Sequence, residues 1–213
     1  MATPRFLLFD LDGTLVDSVA DLGCALNLLA AELGRPPLTP DRVRGIIGDG
    51  ATALIKRAFG AEQYQPDQLL RFLEIYTEHL IDCTAPYPGI RALLARYPAE
   101  RMAVVTNKPY RLSVELLNGL DLARHFKTVI GGDSCARKKP DPLPVVTALE
   151  RLGATPQQTV MIGDHHTDLY AAQAAGVASC FCAYGFGHSD GLAADYRAGS
   201  PADLLLLFPG AAG

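Results

Sequence analysis

What the 213-residue chain lacks narrows its chemistry before any motif is read. There is no excess of basic residues: 19 Lys and Arg stand against 23 Asp and Glu, a formal charge of −4. That leaves no electrostatic footprint for a polyphosphate backbone, and no nucleic-acid partner is expected. No apolar run is long enough to span a bilayer, and the opening MATPRFLLFDLDG is too short and too acidic for a signal peptide. A cytoplasmic protein with no membrane partner is the expectation. The five cysteines, Cys24, Cys83, Cys135, Cys180 and Cys182, contain no C-x-x-C pair, and their odd number argues against a complete disulfide framework. Internal repeats, low-complexity tracts and long charge runs are absent too.

What is present is an ordinary globular composition, 49% apolar and 20% charged, in a chain long enough to bury a sizeable core. Five short apolar runs read as strands: 5–9 (RFLLF), 102–105 (MAVV), 127–130 (KTVI), 159–162 (TVMI) and 179–183 (SCFCA). Cys180 and Cys182, two apart in the last run, share a face as small buried hydrophobes. Helical patterns at 110–118, 143–152 and 167–175 separate the later strands, which predicts an α/β fold with a Rossmann-like parallel sheet and crossover helices.

Nearly all the chain between the first two strands reads instead as helix. Ser18 and Asp21 suit a capping box for a helix running to Gly34, and Thr39-Pro40 suits an N-cap followed by Pro at the first helical position. After Gly48-Asp49-Gly50, the stretches ATALIKRAF and DQLLRFLEIYTEHLI carry helical apolar spacing. The expected organisation is an α/β core over residues 1–15 and 85–213 with a helical subdomain over 16–84 set into it.

In an open α/β sheet, ligands lie beyond the carboxyl ends of the strands. There the sequence places Asp10-Leu11-Asp12-Gly13-Thr14 after the first run, Thr106-Asn107-Lys108 after the second, and Gly163-Asp164, with Asp168 four residues on, after the fourth. Carboxylates gathered in one crevice repel one another unless a cation compensates, and oxygen donors suit Mg2+. An aspartate attacks phosphorus to give an aspartyl phosphate, a second carboxyl serves as general acid and base, and Gly13 lets backbone amides approach phosphate.

The set DLDGTL at Asp10 to Leu15, Thr106 at a strand end, Lys139 in KPDP and GDHHTD at Gly163 to Asp168 resembles, in order and spacing, the four motifs of the haloacid dehalogenase superfamily. The helical insertion is similar to that family's C1 cap. The resemblance implies a Mg2+-dependent hydrolase of a small-molecule phosphate ester, with Asp10 as nucleophile and metal ligand. Asp12 is implied as general acid and base and as a ligand through its carbonyl, and Asp164 as the remaining metal ligand. Thr106, Asn107 and Lys139 are implied to bind the phosphoryl group, with Asp168 supporting Lys139 or a metal-bound water. Lys138 and Arg137 read as solvated surface.

Within the family the pattern is nearest to phosphoglycolate phosphatases, through the GDG loop, the complete motif set and the Tyr184-Gly185-Phe186-Gly187-His188 segment. Gly48, Asp49 and Gly50 are the expected substrate-facing cap loop, with Arg42, Arg44, Lys56 and Arg57 as candidates to receive a second anionic group. A β-phosphoglucomutase-like mutase, a pyrophosphatase, a phosphonatase using Lys56, and a non-catalytic binding protein are the alternatives, and a monomer or homodimer is expected. His165 and His166 read as surface or substrate-facing residues, because adjacent loop residues seldom aim at one ion.

Overall fold

The computed structural model describes residues 4–210. Strand β1 (Phe6–Phe9) is followed by β2 (Val16–Asp17), helices α1 (Val19–Glu32), α2 (Pro40–Arg44), α3 (Ala51–Phe59) and α4 (Pro66–Glu78), and strand β3 (Ala85–Pro86). The chain continues through α5 (Ile90–Leu94), β4 (Met102–Val105), α6 (Tyr110–Gly119), β5 (Thr128–Ile130), α7 (Leu143–Leu152) and β6 (Thr159–Gly163). It ends with α8 (His166–Ala174), β7 (Ala178–Cys182), β8 (Tyr196–Ala198) and α9 (Pro201–Leu207).

Six strands form one parallel sheet in the order β5-β4-β1-β6-β7-β8. A parallel sheet is covered on both faces, so its strands are apolar almost without interruption. The pleat assigns alternate residues of β1 to opposite cores: Leu8 packs with Val105, Ile130 and Met161 beneath α7 and α8, whereas Leu7 and Phe9 pack with Val104 and Ile162 on the other side. The α/β class and the five anticipated strands are present. The three-residue edge strand β8, and helices α5 and α9, were not anticipated.

Helices α1 to α4 occupy the chain between β2 and β3, which pair antiparallel, Val16 with Pro86 and Asp17 with Ala85. Thr39 caps α2 by accepting from the Arg42 N–H, as its Thr-Pro sequence predicts. The capping box expected at Ser18 does not form. Ser18 Oγ donates to Asp12 Oδ1 at 2.6 Å, and the Asp21 carboxylate accepts from the backbone N–H groups of Cys83 and Thr84. Both side chains are taken by partners remote from the helix terminus, which outcompete the local motif. Among the described residues no helix is long and apolar enough to cross a membrane, and all five cysteines are free.

Candidate active site

The order of the sheet sets β1 between β4 and β6, so the residues following these three strands converge. This is where a parallel sheet reverses its direction of winding and opens a crevice. Asp10 N–H donates to Ile162 O at 2.9 Å and Thr106 N–H to Ile130 O at 2.9 Å, extending the ladder one residue past each strand and fixing where the side chains leave it. Asp10, Thr106, Lys139, Asp164 and Asp168 are all buried.

Lys139 is the hub of the group. Its Nζ lies 3.0 Å from Asp10 Oδ1 and 2.6 Å from Asp168 Oδ1, and it donates to Val105 O at 2.5 Å. Burial alone would lower the Lys139 pKa, but Asp10 and Asp168 hold it above the ordinary value, which favours the ammonium. Asp168 uses its second oxygen to accept from the His165 N–H at 3.0 Å. Asp10 Oδ1 accepts from the Leu11 N–H at 2.7 Å as well as facing Lys139, which leaves Oδ2 without a donor among the described residues.

Asp164 is held from both sides. Oδ1 accepts from Thr14 Oγ1 at 3.1 Å, and Oδ2 from the N–H groups of Phe186 and Gly187 at 3.1 and 2.8 Å. The glycine-rich segment after β7 therefore cradles a carboxylate, and Tyr184 OH anchors it by donating to Thr14 O at 2.8 Å. Gly13 packs against the same carboxylate: its φ is +85°, and a Cβ there would stand 2.1 Å from Asp164 Oδ2.

Donor atoms of Asp10, Asp164 and Asp168 lie within 4.8 Å of one another, with Lys139 the only cation among the described residues that touches them. Burial pushes Asp10 up to about 6 against the pull of Lys139, and pushes Asp164 well above the carboxylate range, with Asp10 and Asp168 adding to it. An excess of buried carboxylate is what a hard divalent cation relieves, so the donor set fits one. Asp168 is committed to the Lys139 ammonium and the His165 N–H, whereas Asp10 Oδ2 accepts from no donor among the described residues and Asp164 accepts only from uncharged groups; these two are the carboxylates fit to hold it.

Beside this cluster is a chamber of 50 Å³ lined by Asp10, Asp12, Thr106, Asn107 and Lys108 from the sheet side. Ile47, Gly48, Gly50, Leu54, Phe72 and Tyr76 close it from the helical insertion. Asp12 enters it between Ser18 Oγ and Lys108 Nζ, the latter 3.2 Å away. Lys108, which sequence reasoning passed over, is buried, donates to Tyr76 OH at 2.7 Å and lies 4.4 Å from that ring's centroid. Burial disfavours its charge, but Asp12 and Tyr76 hold its pKa above the ordinary value. Its only sequence signal was its place two residues after Thr106.

The Gly48 to Gly50 loop reaches the site. Asn107 Nδ2 donates to Gly48 O at 3.1 Å and to Lys139 O at 3.0 Å, so its side chain ties loop to core; its Oδ1 is buried without a partner, and its backbone N–H is the donor left for an anionic ligand. Asp49 presents its carbonyl to Lys138 Nζ and its carboxylate to Arg57. Lys138 is accordingly not solvated surface; Arg137 is exposed and pairs with Asp141.

The four basic candidates of the insertion do not line the chamber. Arg42 and Arg57 donate to backbone carbonyls, and the exposed Lys56 lies over the Tyr64 ring. His165 is not on the surface: it is 2% exposed, its ring edge meets Gly48, and burial and His166 push its pKa down to about 4.

A family model described as haloacid dehalogenase-like hydrolase matches residues 7–182. A phosphoglycolate phosphatase from Chromobacterium violaceum is 42% identical over 93% of this chain and 94% of its own. One from Pseudomonas putida is 39% identical over 98% of this chain and 80% of its own. Among solved structures, one described as a predicted phosphoglycolate phosphatase from Haemophilus somnus superposes with a TM-score of 0.85 at 28% identity, covering 97% of this chain and 99% of that one. CbbY from Rhodobacter sphaeroides, solved in complex with phosphate, gives a TM-score of 0.81 at 26% identity, over 97% and 99%.

Proposed function

The chain belongs to the haloacid dehalogenase-like hydrolases and is a phosphatase, and we propose that it hydrolyses a small carboxylated phosphomonoester, phosphoglycolate first among the candidates, through Asp10. The observation that carries the reading is the meeting of Asp10, Thr106 and Asp164 at three adjacent strand ends, with Lys139 brought in from the segment between β5 and α7, beside a chamber shared by core and insertion.

Asp10 Oδ2 attacks phosphorus as the ester P–O bond breaks, and Asp12 gives its proton to the departing alkoxide. Asp12 then takes a proton from water as that water attacks the aspartyl phosphate, the Asp10–phosphorus bond breaks and inorganic phosphate leaves. Thr106 Oγ1, the Asn107 N–H and Lys139 Nζ receive the equatorial phosphoryl oxygens, where negative charge accumulates. Mg2+, held by Asp10, Asp164 and the Asp12 carbonyl, would supply charge neutralisation of phosphoryl oxygen and nucleophile. Asp168 positions Lys139. Residues 16–84 serve as the cap, contributing Gly48, Asp49 and Gly50 to the site and excluding water.

The substrate class follows from the chamber. The chamber is small and lined by both the core and the insertion, which favours a small leaving group. Its walls are largely apolar, and Lys108 is the one cation in the lining. A carboxylate on the leaving group accordingly meets the Lys108 ammonium. The relatives named phosphoglycolate phosphatase support the same reading.

The test is a panel assay with Mg2+ over 2-phosphoglycolate, phosphoglycerate, hexose phosphates, pyrophosphate and p-nitrophenyl phosphate. Phosphoglycolate is expected to give the highest kcat/KM. Preference for a hexose phosphate, or equal turnover by Asp10→Asn, refutes the reading.

A further inference from the structure

Independently of the carboxylate cluster, three histidines from two segments meet behind the Gly48 loop. His165 and His166 open α8, and His188 comes from the loop that follows β7. Their ring centroids are 4.1 Å apart for His165 and His166, 4.9 Å for His165 and His188, and 5.1 Å for His166 and His188. One ring nitrogen from each falls within a 4.8 Å group. Asp190 closes the set, with Oδ1 2.8 Å from His188 Nδ1 and Oδ2 3.5 Å from His166 Nδ1.

Each of the three rings has a nitrogen to offer a ligand, His188 through Nε2 while Nδ1 faces Asp190. His165 Nδ1 lies 3.1 Å from Thr167 Oγ1, so its Nε2 is the one left over. His166 Nδ1 is shut off from solvent and makes no hydrogen bond, Asp190 Oδ2 coming no nearer than 3.5 Å, and a buried polar atom so poorly satisfied is disfavoured unless something occupies it.

We propose that His165, His166 and His188, with Asp190 as the fourth donor, form a binding site for a transition-metal ion of the Zn2+ class, separate from the carboxylate site. The donor chemistry sorts the two sites: imidazole nitrogen favours zinc, nickel, cobalt or copper, whereas carboxylate oxygens favour magnesium. With metal–nitrogen bonds of ~2.0–2.1 Å, tetrahedral nitrogens stand roughly 3.3 Å apart, so the rings must draw inward. His188, whose side chain is 58% exposed, is the one free to do so. His165 is also the residue whose ring edge would meet a Cβ at Gly48 at 2.6 Å. An ion here therefore immobilises the ring against which the GDG loop rests.

Cobalt tests this without recourse to activity. Metal-stripped protein is titrated with Co2+ in the presence of a large excess of Mg2+, which occupies oxygen donors and leaves imidazoles free. The expected result is one equivalent of Co2+ per chain with the intense visible d–d bands of a nitrogen-rich tetrahedral site. Affinity should fall at least tenfold in His188→Ala and in Asp190→Asn, and stay unchanged in Asp10→Asn; circular dichroism melts confirm that the variants fold. Absence of the bands, undiminished affinity in both His188→Ala and Asp190→Asn, or loss of binding in Asp10→Asn overturns the proposal.

Discussion

Lys139 Nζ stands 3.0 Å from Asp10 Oδ1, and both groups are buried, so each depends on the other for its charge. Replacing the ammonium leaves Asp10 and Asp168 facing each other without a counter-ion. Removing one member of a buried ion pair typically costs about 3–5 kcal/mol. Lys139→Met is therefore expected to lower the denaturation midpoint markedly and to reduce kcat by at least a hundredfold, measured by urea titration and steady-state assay. Lys139→Arg should not restore activity, because a planar guanidinium cannot meet Asp10, Asp168 and Val105 O from one point.

Lys108 holds Asp12 and is also the proposed contact for the substrate carboxylate, and two substrates distinguish these roles. Its ammonium faces Asp12 and the chamber, and a charge-assisted hydrogen bond is worth about 1.5–3 kcal/mol. Lys108→Met is expected to reduce kcat/KM for 2-phosphoglycolate by roughly 10- to 150-fold, while p-nitrophenyl phosphate, which has no carboxylate and a good leaving group, loses much less. Equal losses on both substrates would remove Lys108 from specificity.

Removing the divalent ion should act on stability as well as on turnover. Burial and neighbouring carboxylates hold Asp164 well above its usual range, so its ionised form is unfavourable until a cation arrives. Chelation is expected to abolish activity and lower Tm, with Mg2+ restoring both; an ion at a hundred times its Kd stabilises by about 2.7 kcal/mol. In Asp164→Ala the Mg2+-dependent Tm shift should disappear.

Gly13 makes a backbone test of the same site. An alanine there would set Cβ against Asp164 Oδ2 at φ +85°, a conformation that costs a side-chain-bearing residue about 1–3 kcal/mol. Gly13→Ala is expected to raise the Mg2+ concentration for half-maximal rate at least tenfold. A magnesium titration of the rate measures this directly.

Much of this arrangement was legible because a parallel sheet writes a simple code. Strands buried on both faces are apolar runs, and the first polar residue after each, Asp10, Thr106 or Asp164, falls at the crevice. What the sequence concealed depends on contacts between distant segments. Ser18 reads as a helix cap but serves Asp12, and Asp21 reads as its partner but holds Cys83 and Thr84. Lys108 and Lys138 look like ordinary lysines beside better-known neighbours, and only the packing of Tyr76 and Asp49 against them shows otherwise. Arg42 and Arg57 carry the right charge for substrate, yet backbone carbonyls of their own insertion claim them. Strand β8 escaped notice because three edge residues, of which only Ala198 is fully buried, carry too little periodicity to register.

The most direct measurement of the central claim is acid-quench trapping of the phosphoenzyme. Protein turning over substrate labelled with radioactive phosphate is quenched within one turnover and digested, and the labelled peptide is identified by mass spectrometry. Label is predicted on the peptide containing Asp10, more abundant in Asp12→Asn, where water is poorly activated, and absent in Asp10→Asn. Label on another residue, or none while wild-type protein releases phosphate, would contradict Asp10 as the nucleophile.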